Sequence, residues 1–185
     1  MREQAPPVIS AAMDVFTAIS SARAIREFDG RPIDAADLDR ILAAARLSPS
    51  SKNDQRWSFI LCTDRDHLRQ LSKIGDYAGH LAGAAAAIAV VMPKSDIGWE
   101  REILAFDTGQ CVRNMMLAAW ELGIGSCHAS VYDPKLTREL LGFPDDRRCD
   151  LLVSFGHPAD PGLLARPIPD SARKPMDELL HRERW

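Results

Sequence analysis

Ser48-Pro49-Ser50-Ser51-Lys52-Asn53-Asp54-Gln55-Arg56-Trp57-Ser58-Phe59 separates a helical pattern from a strand pattern. Proline fixes φ, and short polar side chains bond to nearby backbone, so the stretch reads as a turn-rich connector. It also carries one cation, Lys52, and two amides, Asn53 and Gln55. One cation and two amides held in fixed places can bind a flat heteroaromatic ring that alternates donors and acceptors. Alone, the connector reads equally well as a solvated loop.

Working upstream, apolar residues spaced along one face predict a helix over Ala11 to Ser21, with Met13, Phe16, Ala18 and Ile19 near that face. Ala24 to Phe28 is short and extended. Asp34 is the candidate N-cap of a second helix, with Asp37 in its first turn and Leu38, Ile41, Leu42 and Ala45 as its apolar stripe. Downstream, Trp57 to Cys62 is a strand, and Thr63 is the expected cap of a helix from Asp66 to Lys73. Ala84 to Met92 is alanine-rich, but its Ile88-Ala89-Val90-Val91 core favours a buried strand that Pro93 stops. Trp99 to Leu122 is the longest helical pattern and is closed by Gly123. Asp133-Pro134 opens a helix that Gly142 ends, and Arg148 to Phe155 is a strand. The tail from His157 has prolines at 158, 161, 167, 169 and 175, so it is mostly extended before a last short helix.

Composition narrows the function classes. The chain has 185 residues, enough to bury about 70% of its extended surface as one domain spanning 1–185, with residues 1–9 a loose arm. A net charge of -3 gives no electrostatic reason to expect nucleic acid or an acidic membrane. The longest apolar stretch, Leu81 to Met92, is too short to span a bilayer, and no signal-peptide pattern precedes Asp14. Cys62, Cys111, Cys127 and Cys149 are widely spaced, which argues against zinc and disulfide scaffolds and suits a cytoplasmic setting. The five histidines show no ligand spacing, so no metal site is assigned.

Several motifs together resemble the FMN-dependent nitroreductase family. Pro-Ser-Ser-x-Asn-x-Gln-x-Trp in the connector resembles that family's loop, and Arg23-Ala24-Ile25-Arg26-Glu27-Phe28 its Arg-Ser-(Val/Ile)-Arg-x-Phe segment. Asp107-x-Gly109, Asn114-Met115-Met116-Leu117-Ala118-Ala119 and Leu122-Gly123-Ile124-Gly125-Ser126 resemble its central helix and following turn. Phe155-Gly156-His157-Pro158 and Ala172-Arg173-Lys174-Pro175 resemble its tail. Alternating helices and strands suggest a doubly wound sheet, but no Gly-x-Gly-x-x-Gly follows a strand. The resemblance implies instead an α+β fold: a central mixed, largely antiparallel sheet flanked by helices. It also implies an intertwined homodimer with flavin at the interface and residues 157–185 crossing to the partner.

The cofactors so implied are FMN and, as co-substrate, NAD(P)H. Carried over by the resemblance, Arg23, Ala24 and Arg26 face the phosphate and ribityl side, and Arg173 and Lys174 the phosphate. Pro49, Ser50 and Ser51 line the ring, Asn53 and Gln55 reach its polar edge, and the backbone at Ala129 and Ser130 lies by N5. Lys52 is a candidate for the ring's carbonyl edge. The chain departs from the pattern at Ala22, Ala24, Arg56 and His128, where Arg, Ser, Pro and Pro are usual. His128 is a candidate proton donor or a packed histidine. Cys127 beside it cannot pair with it in an extended segment, because neighbours point to opposite sides. Met115, Met116 and Trp120 suit core and dimer packing. The implied activity is hydride transfer from NAD(P)H through flavin to a nitroaromatic, quinone or enone. Its rivals are a non-catalytic flavin-binding or regulatory homodimer and, more distantly, a metal hydrolase.

Overall fold

The alanine-rich stretch is the centre of the molecule. In the computed structural model, which describes residues 13–169 and 172–185, it forms strand β2 (Ala86–Pro93), and Ala86 to Met92 are all buried. Small side chains on both faces let layers approach from each side, and the β-branched core residues fit the pleat. β2 pairs antiparallel with β1 (Ser58–Cys62) on one side and with β4 (Arg147–Gly156) on the other. β3 (Gly125–Ser130) adds to the far side of β4, giving the order β1-β2-β4-β3. The sheet is antiparallel throughout; the parallel element is the bridge between Ala24 and Ser126 at its edge. This is the α+β arrangement, and the doubly wound alternative falls because all three strand pairings among the described residues are antiparallel.

One face of the sheet packs on α2 (Ala35–Arg46) and the 24-residue α4 (Gly98–Glu121). Ile41, Ala45, Cys111, Met115 and Ala119 meet Ile88, Val90, Val153 and Phe155 there. The other face packs on α3 (Arg65–Leu71), the turn at Gly79–Gly83 and α5 (Pro134–Leu141). Met115 and Trp120 are core residues, as their spacing predicts, and Trp120 Nε1 donates to Ser21 Oγ at 2.9 Å.

Several boundaries move for local reasons. α1 covers Val15–Ser21, because Asp14 caps it by accepting from Thr17 N; Ala11 and Ala12 of the expected helix, with the arm before them, lie outside the described residues. Phe16 and Ile19 are exposed rather than packed, and only Ala18 of that helix is buried. α3 is capped by Asp64, not Thr63: the Asp64 carboxylate accepts from His67 N at 2.7 Å, a stronger cap than a hydroxyl would make there. Asp34 stands at the N-cap of α2 but its side chain makes no capping bond. The last short helix is a single tight turn at Met176–Glu178. The turn expected over Leu122 to Ser126 is shorter, and Gly125–Ser130 is a strand, since β4 offers it a full antiparallel edge.

Candidate active site

β3 positions one half of the site. Its inner edge pairs with β4, while on its outer edge Ile25 N–H donates to Ser126 O at 2.9 Å. Strand alternation then sends the Ser130 amide outward and the Ala129 amide towards β4, as Val131 N–H to Asp150 O at 2.9 Å confirms. Two glycines bring the 23–28 segment close. A Cβ at Gly125 would lie 2.7 Å from Ile25 Cβ, and one at Gly156 would lie 2.6 Å from Phe28 Cδ1. The segment therefore lies flat on the sheet edge and projects Arg26 into a cleft of about 720 Å3. Tyr77, His80, His128 and Ser130 line the same cleft.

The wall of this cleft contains a histidine that the motifs did not select. His80 Nδ1 lies 2.8 Å from Ser154 Oγ, whose hydroxyl donates to Cys127 O at 3.1 Å. One hydroxyl proton serves one acceptor, so in the neutral ring Nδ1–H donates to Ser154. Burial, and secondarily the Arg26 guanidinium, hold His80 below the ordinary histidine value of 6.5. The His128 backbone pulls weakly the other way, although Nε2 is buried and has no hydrogen-bond partner among the described residues. His128 itself points outward and is exposed, while Cys127 is fully buried on the opposite side, so no thiol–imidazole pair forms.

The connector forms the other half, and it is strained. Lys52, Asn53 and Gln55 all adopt the left-handed region, with φ of 52°, 58° and 47°. Only asparagine among these tolerates it well; such residues cost of order 1–3 kcal/mol each and persist where surroundings over-determine them. The surroundings here are α4. Asp107, 1% exposed, accepts Ser51 N–H on both carboxylate oxygens at 3.2 Å. Asn114, two turns further along the same face, donates to Ser48 Oγ at 2.8 Å. Ser50 Oγ accepts Gln55 N–H at 2.9 Å, and Gln55 Nε2 donates to Asn53 Oδ1 at 3.2 Å. Arg56 closes the loop through an ion pair to Glu100 at 2.9 Å. The exposed amides of Asn53 and Gln55 are thereby presented to solvent.

Within the single chain these residues form two groups. Arg26, His128 and Ser130 share the cleft, with Ala24 beside them at the strand edge. Pro49, Ser50, Ser51, Asn53 and Gln55 stand on α4, where Pro49 lines a separate groove with Phe106, Gly109 and Asn114. Arg23 is tied to the tail through a hydrogen bond to Arg166 O. Arg173 and Lys174 are exposed in that tail, and Ala129 is buried. Lys52 is exposed, and Arg173 donates to its neighbour's carbonyl, Ala172 O, at 3.0 Å. Asp107 and Asn114, which the motif selects for a structural role, are two polar residues seven apart on one side of an apolar helix, and they hold the connector. His80 left no such mark in the sequence. Among the described residues no group of three or more His, Cys, Asp or Glu is placed to hold a metal, and no helix is long and apolar enough to cross a membrane.

Comparison with known proteins gives this geometry a family. A protein of Archaeoglobus fulgidus, provisionally named an NADH dehydrogenase/NAD(P)H nitroreductase, is 33% identical over 90% of this chain and 96% of its own. The oxygen-insensitive NADPH nitroreductase of Salmonella typhimurium is 28% identical over 85% of this chain and 74% of its own. The solved FMN-dependent nitroreductase of Clostridium difficile superposes with a TM-score of 0.81 at 25% identity, covering 92% of this chain and all of that one (100%). The model of the nitroreductase family matches residues 19–96 and 75–157, which take in the 23–28 segment, the connector, α4 and β3, and the chain belongs to that family.

Proposed function

We propose that the chain is an FMN-dependent oxidoreductase that passes hydride from NAD(P)H to a small organic acceptor in two successive half-reactions. The observation that carries this reading is the strained amide loop, anchored by buried Asp107, in a chain of this family. Strain held by dedicated contacts marks functional segments. The cleft beside β3 falls within the roughly 300–1,000 Å3 of small-molecule sites, and the chain's donors suit a flavin. Arg26 supplies a cation beside the cleft, and the Asn53 and Gln55 amides supply both donors and acceptors.

When bound, FMN supplies two-electron hydride chemistry that no side chain possesses. The protein's own part is to bind and orient. Asn53, with Gln55, would take the pyrimidine edge, and Pro49, Ser50 and Ser51 would line the ring. Arg23, Arg173 and Lys174 would hold the phosphate, with Ala24 and Arg26 on the ribityl side. The Ser130 amide faces the cleft and would donate near N5, with Ala129 fixing its direction through β4. Little acid–base machinery is needed; His128 is the exposed candidate for a proton at the ring. Because the loop and the cleft stand apart in one protomer, the complete site is read as belonging to a homodimer, each copy lending its loop to the other's cleft. The exposed tail from His157, with Met176, Leu179, Leu180 and Trp185 on its surface, is read as crossing to the partner of this single-domain chain. The connector from Pro93 to α4 is short and leaves Ile97 and Trp99 exposed, which favours an open site tolerant of nitroaromatics, quinones or enones. Buried free thiols suit a reducing cytoplasm.

Ala22 and Ala24 favour a second reading, a flavin-binding homodimer without turnover, since they offer the phosphate no side-chain donor. Visible absorption after FMN loading and desalting, followed by anaerobic NADPH or NADH, separates the two. Flavin bands that persist and then bleach establish the oxidoreductase. Bands that persist unbleached establish the binding protein, and bands lost on desalting overturn both.

A further inference from the structure

A second cavity, of about 490 Å3, lies at the end of the sheet where β2 stops and β4 starts, between the first turn of α4 and α5. Six cations line it: Lys94, Arg101, Lys135, Arg138, Arg147 and Arg148. Only Asp96 and Asp150 oppose them in the lining, in a chain whose net charge is -3. Local carboxylates occupy part of the set. Asp150 accepts from Arg148 at 2.7 and 3.0 Å, Asp145 pairs with Arg138, and Asp146 and Glu139 stand 3.9 Å from Arg147 and Lys135. Lys94 and Arg101 have no ion-pair partner among the described residues.

The position of Arg101 makes this more than a basic surface. It sits in the first turn of α4, where the helix dipole is positive and a cation is unfavourable. Glu100, the acid of that turn, is already engaged by Arg56 at 2.9 Å and Ser95 at 2.5 Å. Arg101 and Lys94 therefore share the lining with Asp96 and with four cations that have local carboxylates, but neither makes an ion pair of its own among the described residues, and Arg101 also meets the helix dipole. A multiply charged anion would relieve all of these at once, and guanidinium groups present donors in the fork that phosphate oxygens match. The cavity adjoins a neighbouring one of about 380 Å3 that shares Arg101, Arg148 and Asp150, carries Glu102 and Thr108, and has Met92, Leu104 and Ala105 as its apolar wall. Charge at one end and apolar wall at the other suit a diphosphate attached to an organic group.

We propose that this cleft is a second ligand site, separate from the cleft beside β3, which takes a diphosphate-bearing ligand with Lys94 and Arg101 as its principal contacts. It connects to the loop half of the candidate active site, since Ser95 bonds Glu100 and Arg147 donates to Arg56 O at 3.5 Å.

Titration calorimetry of the full chain at low salt, with inorganic pyrophosphate as the probe, tests it. Saturable binding is expected, weakening on addition of salt because the binding groups are charged. Lys94→Ser with Arg101→Ser should weaken it by about a hundredfold, on the basis of about tenfold for each charge-assisted hydrogen bond removed. Arg26→Ser, in the other cleft, should leave pyrophosphate binding within about twofold. Both exchanged side chains are exposed and unpaired, so the double variant should melt no lower than the wild type. ADP and NADP+ identify the source: displacement of pyrophosphate assigns the site to a nucleotide diphosphate, and failure to displace assigns it to free polyphosphate. No saturable binding, or equal affinity in the double variant, overturns the proposal, and so does loss of binding in Arg26→Ser alone.

Discussion

Replacing Asp107 by alanine removes the anchor of the strained loop without touching any exposed group. The three left-handed residues, Lys52, Asn53 and Gln55, store about 3 kcal/mol even at the lower end of the range for such conformations. Against this stand a bond from Ser51 N–H to a carboxylate, about 1.5–3 kcal/mol, and two neutral bonds, Asn114 to Ser48 and Gln55 N to Ser50, about 1 kcal/mol each. With the carboxylate present the holding interactions exceed the strain; without it they fall short, and the loop should open. The wild-type conformation must then be restored on ligand binding at a cost of about 1 kcal/mol, so FMN affinity should fall by about fivefold. Amide hydrogen exchange of residues 51–55 reads the opening directly and needs no cofactor. Global stability should change little, because a buried carboxylate carries its own desolvation penalty, which disappears with it. Asp107→Asn keeps an acceptor and should fall between the two. Unchanged exchange at residues 51–55 in Asp107→Ala, with the melting temperature preserved, would refute the reasoning.

Three further outcomes follow from the packing and titration of the same region. Gly125→Ala forces a methyl to 2.7 Å from Ile25 Cβ, and overpacking of about 1–3 kcal/mol should lower the melting temperature by roughly 2–10 °C; an unchanged calorimetric transition counts against that close approach. Burial pushes the thiols of Cys62 up to about 11 and of Cys111 and Cys149 up to about 12, and raises that of Cys127. Native protein should therefore resist a thiol-exchange reagent at pH 8, and stability should be intact below the ordinary thiol value of 9.0 and decline as pH rises above it; rapid reaction of more than one thiol contradicts this. His80, depressed by burial and then by Arg26, should titrate by NMR with a midpoint below 6.5, so that its stabilising contribution is present above that pH and is lost as pH falls; a midpoint at or above 6.5 breaks the assignment.

The layered fold was legible because its central elements are over-determined. In the alanine-rich run helix and strand compete, but its Ile88-Ala89-Val90-Val91 core stopped by Pro93 favoured the strand it forms, and a 24-residue helical pattern closed by Gly123 had to be a helix. Gly125–Ser130 escaped because Gly-Ser-Cys-His-Ala-Ser has neither strong alternation nor β-branched residues; β4 imposes its extended shape from outside. The same division holds in the site. Asn53 and Arg26 were legible from local motifs, whereas His80 reaches the cleft only through its bond to Ser154, 74 positions away. Thr63 and Asp64 are adjacent potential caps, and only the helix's realised start decides between them.

Gly109 carries the argument for a second copy. A glycine in a helix interior costs about 1 kcal/mol relative to alanine, and α4 places this one with nothing among the described residues within 4 Å of where a Cβ would stand. The protomer alone therefore gives it no reason: no positive φ, no close neighbour, no turn. What a missing Cβ provides is close approach by another backbone, and the groove here is lined by Pro49, Phe106, Gln110, Arg113 and Asn114, the elements that carry the amide loop. Phe106, 68% exposed, stands beside it in the same groove and would add apolar surface to such a contact. Gly109→Arg separates folding from assembly. It should leave the isolated protomer folded, with the helix if anything favoured by about 1 kcal/mol. It should also abolish the dimer in sedimentation and, with it, flavin retention, since a lone protomer keeps its loop and its cleft apart. A Gly109→Arg chain that remains dimeric and retains flavin would show that the interface lies elsewhere, whereas one that is monomeric yet retains flavin would show that a single protomer completes the site.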